Sequence, residues 1–329
     1  MDRRTFVALA GGALLGLSPN LRAQGQVAVR RIGLLSGFPR ADIEVFLTFL
    51  RPELEKLGWT DGRNILLLEP RITGGDNARL PSLASELVAE APDLILVQTV
   101  PATRALMQAT KSLPIVMVGV ANPVELGIVP GFGKPGGNVT GASFLGNEFA
   151  GKLLQFLKEA APRLRSVALF VNPSNEAVSQ FVKHMRADAV AIGMQTQVVE
   201  VSSPGEFESA FATIRRANTE SILLPPEPLI QSKRDVIADF AQTHGLPLAV
   251  VGASRVLPAS GLIAFGPARD EYARLAARYI DRILKGAKPG ELSIEQPTRF
   301  HLVINLKSAK ALGLTIPQTL LLRADEKIE

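Results

Sequence analysis

Residues able to do covalent chemistry are few and scattered in this chain. It has no cysteine and three histidines, which removes thiolate nucleophiles, disulfides and thiolate metal sites. His184 falls in a helical pattern, His244 at a helix end and His301 in a strand. None stands beside a plausible nucleophile, and no His/Asp/Glu spacing suits a metal. What recurs instead is small polar residues at the ends of short apolar runs: Ser36-Gly37-Phe38, Gln98-Thr99-Val100, Asn122, Ser143, Asn172 with Ser174 and Asn175, Glu227, and Ser254. Hydroxyls, amides and a carboxylate so placed suit the non-covalent holding of a small polar molecule. These are the expected ligand-binding residues, with no catalytic residue, metal or cofactor.

Each has an ordinary alternative. The Thr99 hydroxyl, beside the free N–H groups of a starting helix, suits an anionic group such as a carboxylate, or is a plain N-cap. Asn172, Ser174 and Asn175 would hold a ligand's polar end or cap a helix. Glu227, between Pro226 and Pro228, would pair with a ligand amine or sit as a turn acid. Phe38, Phe144 and Phe265 would stack on a ligand or fill the core. One Trp and two Tyr are poor provision for the aromatic platforms of many sugar binders.

The elements that must position these residues come as a repeated plan. Arg31–Ser36 and Arg165–Asn172 both read as continuously apolar strands ending in polar turns, as expected for strands buried on both faces. Each leads into a helical pattern closed by a glycine, Gly58 in one and Gly193 in the other. A second strand, a second helix and a third strand follow in both. Leu113-Pro114-Ile115-Val116-Met117-Val118-Gly119 then matches Leu246-Pro247-Leu248-Ala249-Val250-Val251-Gly252. The separation between equivalent positions stays nearly constant along the chain. Strands alternating with helices predict α/β architecture: two doubly wound parallel-sheet, Rossmann-like lobes. Ligands in such folds sit outside the carboxyl ends of the strands, so two facing lobes would enclose a cleft. After Gly252 a strand at 262–266, a helix at 270–284 and a strand at 300–305 break the repeat, predicting elements exchanged between lobes and a multi-strand hinge. The expected division is 24–141 plus 263–296 for the first lobe and 142–262 plus 297–329 for the second.

Gly131-Phe132-Gly133-Lys134-Pro135-Gly136 matches a dinucleotide fingerprint in letters only. Proline interrupts it, and no strand–turn–helix context surrounds it, so it reads as a turn near the hinge.

The N-terminus gives an address. Arg3-Arg4-Thr5-Phe6 precedes an apolar run from Val7 to Leu17 and a small-residue exit near Ala23, the layout of an export signal over 1–23, with twin-arginine character. The run is about half of the ~20 residues a bilayer needs. The expected location is the periplasm, after cleavage. Part of the formal +5 charge belongs to Arg3, Arg4 and Arg22. The other basic residues are dispersed, so no nucleic-acid partner is expected.

Three stretches carry a family resemblance that spans nearly all of the mature chain: Leu57-Gly58-Trp59-Thr60-Asp61-Gly62-Arg63-Asn64, Lys134-Pro135-Gly136-Gly137-Asn138-Val139-Thr140-Gly141, and Leu302 through Leu314 followed by Ile316-Pro317. The chain resembles ABC transporter substrate-binding proteins of the family that includes tryptophan- and tyrosine-binding proteins. The resemblance implies a type I periplasmic-binding-protein fold and ligand capture between lobes that close on a hinge. It also implies delivery of an amino acid or related small molecule to an inner-membrane permease, by a monomer without enzymatic activity. Thr99-Val100-Pro101-Ala102 stands where that family has a Thr-Pro-Ala turn. Asn122 and Glu227 stand where relatives often carry Asp, and Asn122 removes a charge. A sensor reporting to a membrane receptor and an exported α/β enzyme are the rival readings.

Overall fold

The computed structural model describes residues 29–144, 146–252 and 257–329. The leader expected over 1–23 and the candidate Ser254 lie outside them.

The first sheet is built from β1 (Arg30–Ser36), β2 (Ile65–Leu67), β3 (Arg71–Ile72), β4 (Leu94–Gln98), β5 (Ile115–Ala121) and β6 (Val139–Phe144). Its order is β2-β1-β4-β5-β6, all parallel, with the short β3 also on β1. Helices α1 (Arg40–Lys56), α2 (Leu80–Ala89) and α3 (Val100–Ala109) complete the crossovers. Strands β1, β4 and β5 are buried on both faces, which is why they read as unbroken apolar runs.

The chain then passes into α4 (Gly146–Ala160) and the second sheet. That sheet holds β7 (Ser166–Val171), β8 (Gln195–Glu200), β9 (Ile222–Leu224), β10 (Leu248–Val251), β11 (Ile263–Pro267), β12 (Phe300–Asn305) and β13 (Glu326–Ile328). The order is β13-β12-β11-β10-β9-β7-β8, with only the β11–β12 pair antiparallel. Its crossover helices are α5 (Val178–Ala191), α6 (Phe207–Arg216), α7 (Pro228–Ser232) and α8 (Arg234–Thr243).

The C-terminal part of the chain, from β11 on, is shared between the sheets. Helix α9 (Arg269–Leu284) leaves β11 and returns to the first lobe, where Ala273, Ala276, Ile280 and Ile283 join Phe46 and Leu50 of α1 in one apolar cluster. Residues 291–295 stay there: Glu295 exchanges backbone hydrogen bonds with Gly141 and Ser143 of β6. The chain then crosses again to β12, followed by α10 (Leu306–Ala311) and α11 (Gln318–Leu321).

Two expected boundaries move. The sequence pattern places 263–296 in the first lobe, but the first strand of that segment, β11, hydrogen-bonds between β10 and β12 in the second sheet. Ile263 and Ala264 are fully buried there, and a strand covered on both faces takes a central position. The division at 141/142 falls inside β6, which continues to Phe144. Segment 131–138 is loop with no helix after it, in keeping with its reading as a turn. Trp59 is held away from the strand ends, its indole N–H donating to Asp281 of α9 at 2.9 Å.

Candidate functional site

The carboxyl ends of the two sheets face each other across a cavity of about 250 Å³. From the first lobe its wall takes Phe38 after β1, Gln98 and Thr99 at the end of β4, Val100 opening α3, and Asn122 after β5. From the second it takes Asn175, Val178 and Phe181 around the start of α5, and the Pro225–Pro228 turn with Glu227. Phe144 closes the hinge side.

Seven of the residues expected from the sequence therefore lie on the wall: Phe38, Gln98, Thr99, Val100, Asn122, Asn175 and Glu227. Others sit one layer behind. Ser36 donates to Gln98 Oε1 at 2.9 Å and accepts from the Phe38 N–H. Gly37 packs against Pro228 and Thr99. Asn172 donates to Glu227 Oε1 at 3.1 Å, while its Oδ1 accepts from the Ser174 N–H and hydroxyl. Ser143 is buried in β6 with no partner for its hydroxyl. Phe265 packs in an aromatic cluster with Phe149, Phe156 and Phe300 instead of facing the cavity.

Asp42, Phe46, Gln231 and Tyr272 also line the cavity and are absent from the sequence-derived set. Asp42 and Phe46 come from α1, Tyr272 from α9 and Gln231 from α7. In the sequence they are ordinary positions of amphipathic or short helices. The available signal was their place in the first or second turn after a strand end, where a helix points its N-terminal turns at the cleft.

Two backbone features stand out on the wall. Thr99 has φ +81°, a region costly for a β-branched residue, and Asn122 has φ +44°, which Asn tolerates. Strain of this kind costs about 1–3 kcal/mol and concentrates where function requires a fixed geometry. The Thr99 hydroxyl only weakly caps α3, accepting from the Ala102 N–H at 3.4 Å. Thr99→Gly is accordingly expected to leave unfolding stability unchanged or raised, since strain relief offsets the loss of a cap worth a few tenths of a kcal/mol. It should weaken ligand binding about fivefold, in keeping with the loss of one hydrogen bond worth about 1 kcal/mol. Urea unfolding and a binding titration of the same variant check both halves.

The main charged group on the wall is Glu227, 4% exposed. Desolvation raises its pKa above the ordinary carboxylate value, against the opposing effect of the Ile230 N–H and the Asn172 amide. Close by on α7, Gln231 uses Nε2 to donate to Pro225 O at 2.9 Å and leaves Oε1 unpaired. The remaining wall is mainly apolar, from Phe38, Phe46, Phe144, Phe181 and Val178. Among the described residues no group of His, Cys, Asp or Glu is placed to hold a metal ion.

The lobes also touch at the rim. Arg234 at the start of α8 donates to both carboxylate oxygens of Asp42 on α1, at 2.9 and 3.0 Å. Arg104 of α3 pairs with Glu176 before α5 at 2.7 Å. Asn77 meets the Ser174 hydroxyl at 3.3 Å.

Known proteins share this arrangement. The family model for ABC transporter substrate binding proteins matches residues 50–328. A tyrosine-binding protein of Clostridioides difficile (strain R20291) is 25% identical over 269 residues, covering 79% of this chain and 74% of the relative. The solved ABC domain from Streptococcus pneumonia in complex with L-Trp superposes with a TM-score of 0.82 at 24% identity, over 92% of this chain and 100% of that one. The ligand-free, open structure of a Clostridium difficile substrate binding protein with adhesive properties gives 0.64 at 22% identity, over 92% and 100%. The fold is the type I periplasmic-binding-protein fold. The protein is a binding component that works outside the cytoplasm and not an enzyme. A cleft between two doubly wound lobes, lined by polar strand ends and lacking a catalytic constellation among the described residues, is what such a role requires, and this chain belongs to the ABC transporter substrate binding protein family.

Proposed function

We propose that the cleft captures an amino acid, or a close relative of one, with a sizeable apolar side chain. The observation that carries this reading is the composition of a single wall: a buried carboxylate, Glu227, and the free Gln231 Oε1 on one side, with a bank of phenylalanines around them. A ligand ammonium group suits the first pair, and the phenylalanines suit an aromatic or large aliphatic side chain. The ligand carboxylate faces the N-terminus of α3, where the Thr99 hydroxyl and the Val100 N–H supply donors and the helix dipole favours negative charge. The names of two relatives, one tyrosine-binding and one holding L-Trp, agree with this class.

The proposal extends to the remaining ligand contacts. Ser36, Gly37, Asn172 and Ser174 shape the wall from behind, and Asn122 and Asn175 contact the ligand's polar edge. The mature protein works as a monomer in the periplasm, after removal of residues 1–23, and passes its ligand to an inner-membrane permease. Nucleic acid has no part in this.

A thermal-shift screen of the mature protein against single amino acids and aromatic acids tests the reading. A ligand at 100 times its Kd adds about 2.7 kcal/mol to stability, a rise of several degrees in Tm. The expected outcome is such a rise with aromatic or large aliphatic amino acids and none with sugars. A flat response across all amino acids would sink the proposal.

A further inference from the structure

The rim contacts are more than a by-product of two surfaces meeting. They fall at separate places around the cleft mouth, each joining an element of the first lobe to one of the second. At one place Gly75 lies against the backbone of Leu229: a Cβ there would stand 2.7 Å from Leu229 Cα, and its φ is +103°. The neighbouring Gly37, which accepts from the Gly75 N–H at 2.8 Å, faces Pro228 in the same way. The first lobe thus presents bare backbone where the second lobe closes on it, and a side chain at Gly75 would prop the lobes apart.

Beside that lip stands the Asp42–Arg234 pair. Its side chains are 16% and 19% exposed, and both carboxylate oxygens are engaged. Asp42 also belongs to the cavity wall, so the pair forms where ligand and rim meet. The Arg104–Glu176 pair lies elsewhere on the rim and is more open to solvent, at 35% and 43%. Arg104 is steadied within its own lobe by the Leu126 carbonyl. Each of these contacts joins a side chain of one lobe directly to a side chain of the other.

We infer that Asp42–Arg234 and Arg104–Glu176 act as two electrostatic clasps that stabilise the closed cleft relative to the open one, so that affinity is set partly by a closed–open equilibrium the chain itself biases. These are positioning residues: they act on the ligand by bringing Glu227 and the α7 turn over the first lobe. The clasps differ in kind. The exposed one is screened by salt, because the Debye length shrinks from about 10 Å at 0.1 M to about 3 Å at 1 M. The sheltered one, in which Arg234 Nη1 is shared between the two Asp42 oxygens and both side chains are largely buried, is screened less.

The inference rests on the binding-protein reading but on no particular ligand, and its test needs none. The chain has no native cysteine, so Ser82→Cys on α2 and Lys183→Cys on α5 give a clean pair for spin labelling across the cleft. Both positions are exposed. Pulsed dipolar distances are then measured on the mature, ligand-free protein. The expected result at low salt is a short-distance population beside a longer one. Arg104→Ala with Arg234→Ala should lower the closed-to-open ratio by about tenfold, equivalent to about 1.4 kcal/mol. Arg104→Glu with Glu176→Arg should keep the short distance, because the exposed pair is restored with its charges exchanged. Raising salt to 1 M should shift the unmutated clasps towards the longer distance, a readout that needs no clasp variant to fold. A ligand-free protein that is already fully open, or a distribution unmoved by both the double variant and salt, overturns the inference. If the distances behave as expected but no amino acid binds, the clasps stand and the amino-acid reading fails.

Discussion

Replacing Glu271 with alanine is expected to lower folding stability by about 2–4 kcal/mol, somewhat less than a fully buried pair loses because the two arginines can rehydrate. The corresponding fall in Tm is roughly 5–10 °C. Glu271 opens α9 and its side chain is fully buried. Its Oε1 accepts from Arg274 at 2.8 Å and from the Thr298 N–H and hydroxyl, and its Oε2 accepts from Arg299 at 2.9 Å. Arg299 reaches on to Asp270 at 2.6 Å. Thr298 and Arg299 belong to the segment that crosses back to the second lobe, and Ala268 before α9 donates its N–H to Arg299 O at 3.0 Å. One carboxylate therefore ties two hinge segments together. Glu271→Ala would leave both guanidinium groups without their common partner and two crossings held mainly by backbone. Differential scanning calorimetry measures the loss.

The same group sets an acid limit. Burial alone would raise its pKa, but hydrogen bonds from Arg274, Arg299 and Thr298 outweigh that and hold it at about 2, below the ordinary 4.5. A carboxyl with a depressed folded-state pKa contributes fully above the unfolded value and loses its contribution as pH falls through the folded one. Stability should thus decline between about pH 4.5 and pH 2, by roughly 3 kcal/mol from this group. Glu271→Gln should flatten that part of the pH profile.

Glu227→Gln is expected to separate stability from binding. The raised pKa means that ionising Glu227 in the ligand-free protein is unfavourable, chiefly through desolvation. A glutamine carries no charge and keeps an oxygen to accept from the Ile230 N–H, now at 3.0 Å from Oε2, but its amide nitrogen takes the place of the oxygen that accepts from Asn172. Relief of the buried charge offsets that lost hydrogen bond, worth about 1 kcal/mol, so the ligand-free variant should stay close to the parent in stability. Its affinity for an amine-bearing ligand should fall by about 2–3 kcal/mol, roughly 30- to 150-fold, through loss of a charge-assisted contact. In the parent, protonating Glu227 should mimic the substitution. Binding should weaken as pH drops through its elevated pKa, at higher pH than the stability loss governed by Glu271. Calorimetric titrations across pH, on parent and variant, read both effects.

The plan of the fold was legible because physics writes it in local patterns. Strands buried on both faces must be unbroken apolar runs, and the repeat of such runs, from Arg31 to Arg165 and from Pro114 to Pro247, announces two α/β units. What a run does not state is which sheet it joins. Ile263–Pro267 is equally apolar beside either lobe, and its neighbours, β10 and the antiparallel β12, are set by long-range pairing. The cavity was legible in the same uneven way. Polar residues at strand ends mark the cleft edge, and Gln98, Thr99, Asn122 and Glu227 lie on the cavity wall. Ser36 and Asn172 have the same sequence signature, yet they spend their hydrogen bonds on Gln98 and Glu227. Pairing among such groups is a tertiary fact. Phe46 and Tyr272 sit at helical positions that also pack on core, and only the meeting of α1 and α9 turns them towards the cavity.

The most direct test of the account is equilibrium dialysis of the mature protein against a labelled mixture of the twenty amino acids, followed by identification of what is retained. The account predicts about one molecule per chain, drawn from the aromatic or large aliphatic amino acids, and recovered chemically unchanged. Retention of none of them, or recovery of the label in a different compound, would contradict it.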